Sequence, residues 1–220
     1  MNLASLVDQL PNLLQGLVIS LRVTAFSLVL GLPLGLVLGL LGTAPTRLVR
    51  WTTVTVVELL RGLPLLVLVY LIYFGLPSAG LTLQGEVALI AGITISTGAY
   101  TSEIFRAGIL NVARGHREAA RSLGLTPYQE LRHIVLPQAL SAVRIPVIAF
   151  SVLVFQGTTV GFAIGIPELL SRSYAIGSVT FDYLGVFTVA GLIYALVSIL
   201  ASVAVSTLSR GRRPPRTLPA

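Results

Sequence analysis

The sequence contains no lysine and no cysteine, and all fifteen basic residues among its 220 are arginine. A P-loop needs a lysine to contact the nucleotide phosphates. If ATP drives this protein, another chain must therefore bind the nucleotide and its magnesium ion. Without cysteine, no disulfide, thiolate nucleophile or thiolate metal site can form. We expect no cofactor and no metal site in this chain.

Charged residues are also scarce, at 10% of the chain, whereas soluble domains usually contain about 25%. Hydrophobic residues make up 55%, and hydrophobic stretches recur along the whole length. Such a chain needs an apolar solvent, and a helix needs about 20 apolar residues to cross a bilayer. The sequence therefore predicts an all-α integral membrane protein, with residues 1–220 forming one membrane domain.

Five membrane spans are predicted from the charge-free runs and their flanks. They lie near residues 13–41, 52–76, 87–105, 140–165 and 183–208. The second and third runs reach full length only when Glu58, Arg61 and Glu103 are placed within a helix or at its edge. Arg22 falls in the outer third of the first span, where a long side chain can reach the interface.

The distribution of arginine predicts the orientation of these spans. Twelve arginines fall on one face of the predicted topology: Arg47, Arg50, Arg106, Arg114, Arg117, Arg121, Arg132, Arg144, Arg210, Arg212, Arg213 and Arg216. The opposite face has Arg172 alone. By the positive-inside rule, the amino terminus faces outward and the carboxyl terminus faces the cytosol. Membrane orientation thus accounts for the net charge of +7, and we expect no nucleic-acid partner.

The carboxyl-terminal tail, residues 209–220, is rich in arginine and proline. This composition is typical of a disordered cytoplasmic anchor, and it is also compatible with a contact to membrane lipid or to a partner.

A long polar segment, residues 111–137, separates the third and fourth predicted spans. It is too long for a minimal turn. Its residues predict two short helices, one over 115–125 that ends near Gly124, and one over 128–136 that stops before Pro137. We interpret the segment as a cytoplasmic loop.

The first of these helices carries small residues beside apolar ones. Ala119, Ala120 and Gly124 leave a surface that another protein can approach closely, and Leu123 and Leu125 are available as apolar anchors. Two interpretations follow from the residues alone: a helix that docks onto a partner, or an amphipathic helix that lies on the lipid headgroups.

A family resemblance bears on that choice. Glu118-Ala119-Ala120, followed at fixed spacing by Gly124, Ile134 and Leu136-Pro137, resembles the "EAA" signature of permease subunits of ATP-binding-cassette (ABC) importers. In that family the loop forms a coupling helix that sits in a groove of a cytoplasmic ATPase and transmits its closure to the membrane helices. The resemblance assigns coupling contacts to Arg117, Glu118, Ala119, Ala120, Leu123, Gly124 and Leu125.

The resemblance extends over nearly the whole chain to the polar amino acid permeases of bacterial cytoplasmic membranes. Matching stretches are Glu58-Leu59-Leu60-Arg61-Gly62-Leu63-Pro64-Leu65, Gly98-Ala99-Tyr100-Thr101-Ser102-Glu103-Ile104-Phe105-Arg106, Leu136-Pro137-Gln138-Ala139-Leu140 and Gly165-Ile166-Pro167-Glu168-Leu169-Leu170. It implies a type I importer permease fold with five spans and an external amino terminus. It also implies a second permease subunit, two ATP-binding subunits that hold ATP and magnesium, an extracytoplasmic solute-binding protein and a polar amino acid as substrate.

Two acid–arginine pairs repeat one spacing within the predicted spans. Glu58 precedes Arg61, and Glu103 precedes Arg106, by three residues, so each pair lies on one helical face. Isolated charges are costly in hydrocarbon, and we expect the four residues to neutralise one another within or between helices. Their position beside the polar loop favours a role in holding the cytoplasmic gate.

Polar residues and glycines interrupt the fourth span at Gln156-Gly157-Thr158-Thr159. Broken helices near the midplane commonly bind solutes in transporters. Gln156, Thr158 and Thr159 are therefore substrate-binding candidates, with Ser96, Thr97 and Tyr100 as secondary candidates. Interhelical packing explains the same small and hydroxyl residues equally well. The chain also departs here from many relatives, which have Lys-Asp-Thr-Ser-Leu at these positions.

Other activities have less support in the residues. A nucleotide-independent channel would leave the docking-like loop without a use. An intramembrane enzyme would need a nucleophile with its base or an HExxH motif, and neither is present. His116 and His133 both fall in the polar loop and have no metal-ligand spacing. Permeases for other small polar solutes, such as cystine or opines, remain an alternative for the substrate.

Overall fold

The computed structural model describes the backbone of residues 3–210 and the side-chain surroundings of residues 8–204. Within the described backbone every element is helical and no strand occurs, which confirms the predicted all-α class. The α-helices are α1 (Leu3–Leu41), α2 (Arg47–Gly62), α3 (Leu65–Tyr70), α4 (Gly85–Leu110), α5 (Arg114–Ser122), α6 (Pro127–Gln129), α7 (Leu136–Gly157), α8 (Leu169–Thr180) and α9 (Tyr183–Arg210). The basic tail predicted over 209–220 lies outside the described residues, apart from the end of α9.

Four helical stretches in the described chain are long and apolar enough to cross a bilayer. They are Asp8–Leu41, Gly85–Leu110, Pro127–Ile164 and Tyr183–Ala204. A fifth span results if α2 and the helical segment Leu65–Ala79 are counted as one, although the two are bent by 99° at a short break. The predicted number of about five spans agrees with this arrangement.

The predicted second span, 52–76, is broken at Leu63 and Pro64. Leu63 has extended dihedrals, φ −82° and ψ 128°, and α3 begins directly after Pro64. Proline disfavours helical dihedrals at the preceding residue, so the sequence Leu63-Pro64 ends α2. The chain then continues as a π-turn, Leu71–Gly75, and a 3-10 turn, Leu76–Ala79.

Helices α1 and α4 form the most extensive helix pair and pack very closely. Gly31, Gly35 and Gly39 recur every four residues on one face of α1, and an added Cβ at each would meet α4 at Thr97, Thr101 or Ser102. Small residues let membrane helices approach until their backbones nearly touch. The polar residues of α4 are therefore held in a fixed register against α1.

The main apolar core lies where α1, α3, α4 and α7 converge. Val23, Val69, Leu89, Ile93 and Val154 are all buried there. Burial of these side chains against each other joins the first turns of α4 to the last turns of α7 in one closely packed core.

The helix that follows the polar loop does not stop before Pro137, so that prediction was wrong. A π-turn, Glu130–Val135, leads directly into α7, and Pro137 occupies its first turn. The first turn of a helix tolerates proline because its N–H groups have no intrahelical acceptor. The distorted turn before Pro137 lets the chain continue as one helical stretch, Pro127–Ile164.

Candidate functional site

The polar segment 111–137, which we call the coupling segment after its predicted role, contains α5. This helix starts at Arg114 rather than at the predicted residue 115. Gly124 ends it as predicted, because its φ of +76° is a left-handed conformation that glycine adopts without strain. The Gly124 N–H donates to Arg121 O at 2.9 Å, and the Leu125 N–H donates to Ala120 O at 3.2 Å. Ala120 faces inward and is buried, whereas Leu123 is 81% exposed at the end of the helix.

Side chains attach α5 to both α4 and α7. The guanidinium of Arg117 donates from Nη2 to the backbone oxygen of Ile109, near the end of α4, at 2.5 Å. His116 Nδ1 lies 2.8 Å from Gln138 Oε1 in the first turn of α7. Helix α5 is therefore attached to both α4 and α7.

A third attachment joins α5 to the beginning of the next helix. Arg121 Nε donates to Glu130 Oε2 at 2.8 Å, and the Glu130 side chain is only 7% exposed. The Glu130 carboxylate raises the pKa of Arg121 above its ordinary value, so the guanidinium keeps its charge. Thr126 and Gln129 form a capping box that fixes where this helix begins.

The two acid–arginine pairs predicted from spacing both form within their own helices. Arg106 donates to Glu103 from Nε at 2.9 Å and from Nη2 at 2.6 Å, which is a two-pronged contact. Arg61 donates to Glu58 from Nη1 at 2.9 Å. The Glu103–Arg106 pair is the more enclosed of the two.

Tyr100 connects these pairs across α2 and α4. Its hydroxyl donates to the backbone oxygen of Arg61 at 3.0 Å, and the Arg61 guanidinium lies 5.5 Å from the centre of its ring. The ring also stacks on Phe150 of α7 at 5.7 Å. Tyr100, a secondary substrate candidate, is therefore placed beside the predicted gate pairs.

A wide concavity of about 720 Å³ lies between α4 and α7 next to these pairs. Its lining includes Glu103, Asn111, Val143 and Pro146. It opens where the coupling segment attaches to both helices.

The fourth predicted span changes from an α-helix to a 3-10 turn where the polar residues occur. Helix α7 ends at Gly157, and the 3-10 turn runs over Thr158–Ile164. Gln156 is exposed, whereas Thr158 is fully buried and donates to Phe155 O at 2.7 Å. Thr159 donates to Gln156 O at 2.9 Å. Gln156 is thus the candidate of this group whose side chain remains accessible.

The remaining substrate candidates lie on α4. Thr97 is buried against Gly31 of α1, and its hydroxyl oxygen has no hydrogen-bond partner among the described residues. Ser96 is half-buried. The structure does not bring Thr97 and Gln156 into one accessible cluster, and the assignment of all six substrate candidates stays a prediction. Among the described residues, no group of histidine and carboxylate side chains could hold a metal ion.

The carboxylate of Glu168, which was not among the predicted site residues, is fully buried. Its two oxygens accept from the backbone N–H groups of Ser171 at 2.7 Å and Leu170 at 2.9 Å, so it caps the start of α8. The Tyr194 hydroxyl of α9 donates to Glu168 Oε2 at 3.0 Å. The position of Glu168 directly after Pro167 and directly before a helix is the sequence pattern from which this cap could have been predicted.

An ion pair that was not predicted joins α1 and α4. Arg22 donates to Glu86 from Nε at 2.8 Å and from Nη2 at 2.6 Å. The predicted position of Arg22 at the interface explains why its charge needs no burial. A separation of 64 residues gave no local spacing from which the pair could be predicted.

The chain is similar to known proteins over nearly its full length. Residues 31–214 match the family described as binding-protein-dependent transport system inner membrane component. The chain is 33% identical to the probable glutamine ABC transporter permease protein GlnM of Bacillus subtilis, over 96% of this chain and 97% of that protein. It is 31% identical to the arginine transport system permease protein ArtQ of the same organism, over 92% and 94% respectively.

A solved structure supports the same relationship. The crystal structure of an amino acid ABC transporter with histidines superposes with a TM-score of 0.89 at 29% identity, covering 96% of this chain and 99% of that chain. The predicted type I importer permease fold is confirmed by this superposition. Taken with the family match, these similarities show that the chain belongs to the binding-protein-dependent inner membrane components and, within them, to the amino acid ABC permeases.

Proposed function

We propose that the chain translocates polar amino acids across a bacterial cytoplasmic membrane, driven by ATP hydrolysis on separate subunits. Its amino terminus faces outward and its carboxyl terminus faces the cytosol. A second permease subunit, identical or similar, completes the pathway, because about five spans are few with which to enclose one. Two ATP-binding subunits hold ATP and magnesium, and an extracytoplasmic solute-binding protein delivers the amino acid.

The observation that supports this proposal best is the attachment of α5. One side of the helix is fixed by the contacts of Arg117 and Arg121, while Leu123 extends from its end into solvent. An exposed apolar side chain next to small residues fits a groove on a partner protein. This arrangement supports the coupling assignment that the family resemblance implies for Arg117, Glu118, Ala119, Ala120, Leu123, Gly124 and Leu125.

The mechanism proceeds from the ATPase to the gate. Closure of the ATP-binding subunits displaces α5, and the contact of Arg117 with Ile109 O moves the end of α4. Arg106 lies one turn before Ile109 on α4, so the Glu103–Arg106 pair moves with it. ATP-driven closure opens the pathway outward, and hydrolysis resets it inward. Each state exposes the substrate to one side of the membrane only.

The substrate class rests on the relatives and on the polar residues of the fourth span. GlnM and ArtQ are named for glutamine and arginine, so the relatives do not agree on one amino acid. Gln156 and Thr159 supply amide and hydroxyl groups that hydrogen-bond the α-carboxylate or α-amino group shared by all amino acids. Ser96, Thr97, Tyr100 and Thr158 are the other candidates for these contacts, and interhelical packing is the alternative role of the buried Thr97 and Thr158.

Reconstituted transport tests the function. Proteoliposomes would contain this chain, its second permease subunit and the ATP-binding subunits, with the solute-binding protein outside and ATP inside. We expect uptake of a polar amino acid from a panel that includes arginine, glutamine, glutamate, histidine, cystine and an opine, and we expect it to require both ATP and the solute-binding protein. Uptake at full rate without ATP would instead identify a channel.

A matched pair of variants tests the coupling segment in the same assay. Leu123→Asp places a charge at the exposed end of α5, and Leu184→Asp does so at an equally exposed site at the start of α9. We expect Leu123→Asp to reduce ATP-dependent uptake about tenfold and to release the ATP-binding subunits. Leu184→Asp should keep the complex assembled. Loss of the ATPase subunits from the Leu184 variant alone would contradict the assignment.

A further inference from the structure

Arg172 lies in the first turn of α8 and lines a separate cavity of about 220 Å³ between α1 and α8. The stem of this arginine packs over Gly16 of α1, where an added Cβ would collide with it. Its Nη1 donates to Asn12 Oδ1 at 3.0 Å. Gln9, Asn12 and Thr180 provide polar groups to the same cavity.

The other edge of the Arg172 guanidinium is not used. Nε is buried and has no hydrogen-bond partner among the described residues. No described carboxylate lies within ion-pair distance of Arg172, although Asp8 is on the adjacent part of α1 and Asp182 follows α8. A buried, unpaired donor on a charged group is uncommon, because desolvation costs free energy that no bond offsets.

Three other arginines of this chain show what fits that edge. Arg22, Arg106 and Arg121 each use Nε and Nη2 together, and in each case the acceptor is a glutamate carboxylate. A guanidinium edge and a carboxylate match geometrically, which makes this the preferred pairing. In Arg172 this edge has no carboxylate partner among the described residues: Nε is enclosed by protein, and the side chain lines the cavity.

The position along α1 places the cavity at the outer rim of the membrane. Asn12 precedes Leu41 on α1 by a helical length of about 43 Å. A bilayer with its headgroup regions is about 40–45 Å thick. In the proposed orientation, the cavity therefore faces the extracytoplasmic water and not the hydrocarbon.

We propose that Arg172, supported by Asn12 and Gln9, forms a carboxylate-binding site at the outer mouth of the permease. The site rests on the proposed function for its orientation and for its ligand. Two sources can supply the carboxylate: an acidic side chain of the docked solute-binding protein, or the α-carboxylate of the released amino acid. Either carboxylate would accept from Nη2, and from Nε once the side chain turns that enclosed atom toward the cavity.

The first test needs no transport. The melting temperature of the purified chain is measured in sodium acetate and in sodium chloride at equal ionic strength, for the natural sequence, Arg172→Met and Ser178→Ala. Ser178 is the control because it is exposed on the same helix and bonds only to Ala175 O. Acetate should raise the melting temperature by at least about 2 °C, except in Arg172→Met. An equal response in all three proteins would overturn the site.

The second test identifies the source and uses the assembled transporter in nanodiscs of zwitterionic lipid. If an acidic side chain is the ligand, Arg172→Met weakens binding of the solute-binding protein at least about tenfold, and an acidic-to-arginine change on that protein restores binding to Arg172→Glu. If the free amino acid is the ligand, that affinity is unchanged and the KM for uptake rises instead. Unchanged affinity and unchanged KM would overturn both sources.

These tests separate failure of the site from failure of the proposed function. Loss of ATP-driven uptake by the natural sequence would refute the function while leaving the acetate result valid. Arg172→Lys keeps the charge but removes the two-pronged edge, so it should fall between the natural sequence and Arg172→Met. A lysine variant equal to the natural sequence would contradict the proposed edge geometry.

Discussion

Arg121 and Glu130 face each other across the turn at Gly124 and Pro127, with Nε of the arginine 2.8 Å from Oε2 of the glutamate. The carboxylate is nearly covered, whereas the guanidinium side chain remains two-thirds exposed. Glu130 thus lies buried in the helix that leads into α7, and Arg121 lies on the surface that is proposed to meet the ATPase. The pair couples a docking surface to a membrane helix.

Removal of this pair should uncouple hydrolysis from uptake. Arg121→Met leaves the covered carboxylate without its donor, so α5 loses its attachment to the helix that leads into α7. We expect ATP-dependent uptake to fall about tenfold while the ATP-binding subunits continue to hydrolyse ATP. Uptake and phosphate release would be measured in the same proteoliposomes. Arg114→Met, an exposed arginine in the same helix, is the control, and an equal loss in both variants would contradict the specific role of Arg121.

Gly124 combines a left-handed backbone conformation with open space around the position of a Cβ, so substitutions there test the proposed docking of α5. Its left-handed conformation strains most side chains by about 1–2 kcal/mol, whereas asparagine tolerates it. No atom lies within 4 Å of an added Cβ there, so a side chain at this position begins in open space on the surface that is proposed to meet the ATPase. Gly124→Trp should therefore uncouple ATP hydrolysis from uptake or prevent ATPase assembly, with membrane insertion intact, and Gly124→Asn should transport. Undiminished uptake by the tryptophan variant would count against the coupling assignment.

The Glu103–Arg106 pair should be required for a closed cytoplasmic gate. Glu103→Ala leaves a guanidinium in a partly enclosed site, and we expect uptake to drop about tenfold or a substrate leak to appear. The exchange of both residues, Glu103→Arg with Arg106→Glu, restores one acid and one base on the same helical face and should recover much of the activity. Efflux from preloaded proteoliposomes distinguishes a leak from a block. Full activity of Glu103→Ala would remove the gate from the mechanism.

Local rules account for the parts of this structure that the sequence predicted. The pairs Glu58–Arg61 and Glu103–Arg106 follow from helical spacing, and the end of α5 follows from the preference of Gly124 for a left-handed conformation. The break at Pro64 also follows from a local rule, because proline disfavours helical dihedrals at Leu63, but the predicted span over 52–76 did not include it.

Contacts between distant residues could not be predicted in this way. Arg22 with Glu86, and Tyr194 with Glu168, depend on which faces of two helices meet, and no alternation or spacing in one helix reports this. The passage of the helix through Pro137 was also missed, because a π-turn before proline leaves no signature in residue type. Tertiary packing decides the two contacts between distant residues.

Glu168 provides the last prediction, because its carboxylate is shared by two elements. It caps α8 through two backbone N–H groups and accepts the Tyr194 hydroxyl from α9. Tyr194→Phe removes one hydrogen bond to a fully buried carboxyl group, which should cost about 1–3 kcal/mol. Glu168→Ala removes the cap as well and should destabilise the protein more than Tyr194→Phe does.

A double-mutant cycle separates the two contributions. Thermal unfolding of the purified chain would be followed for Tyr194→Phe, Glu168→Ala and the combination, with Tyr174→Phe as a control that is exposed on α8. If the tyrosine acts through Glu168, the combined variant should lose less stability than the sum of the two single changes. Strict additivity would show that Tyr194 stabilises α9 independently, and the carboxylate would then serve α8 alone.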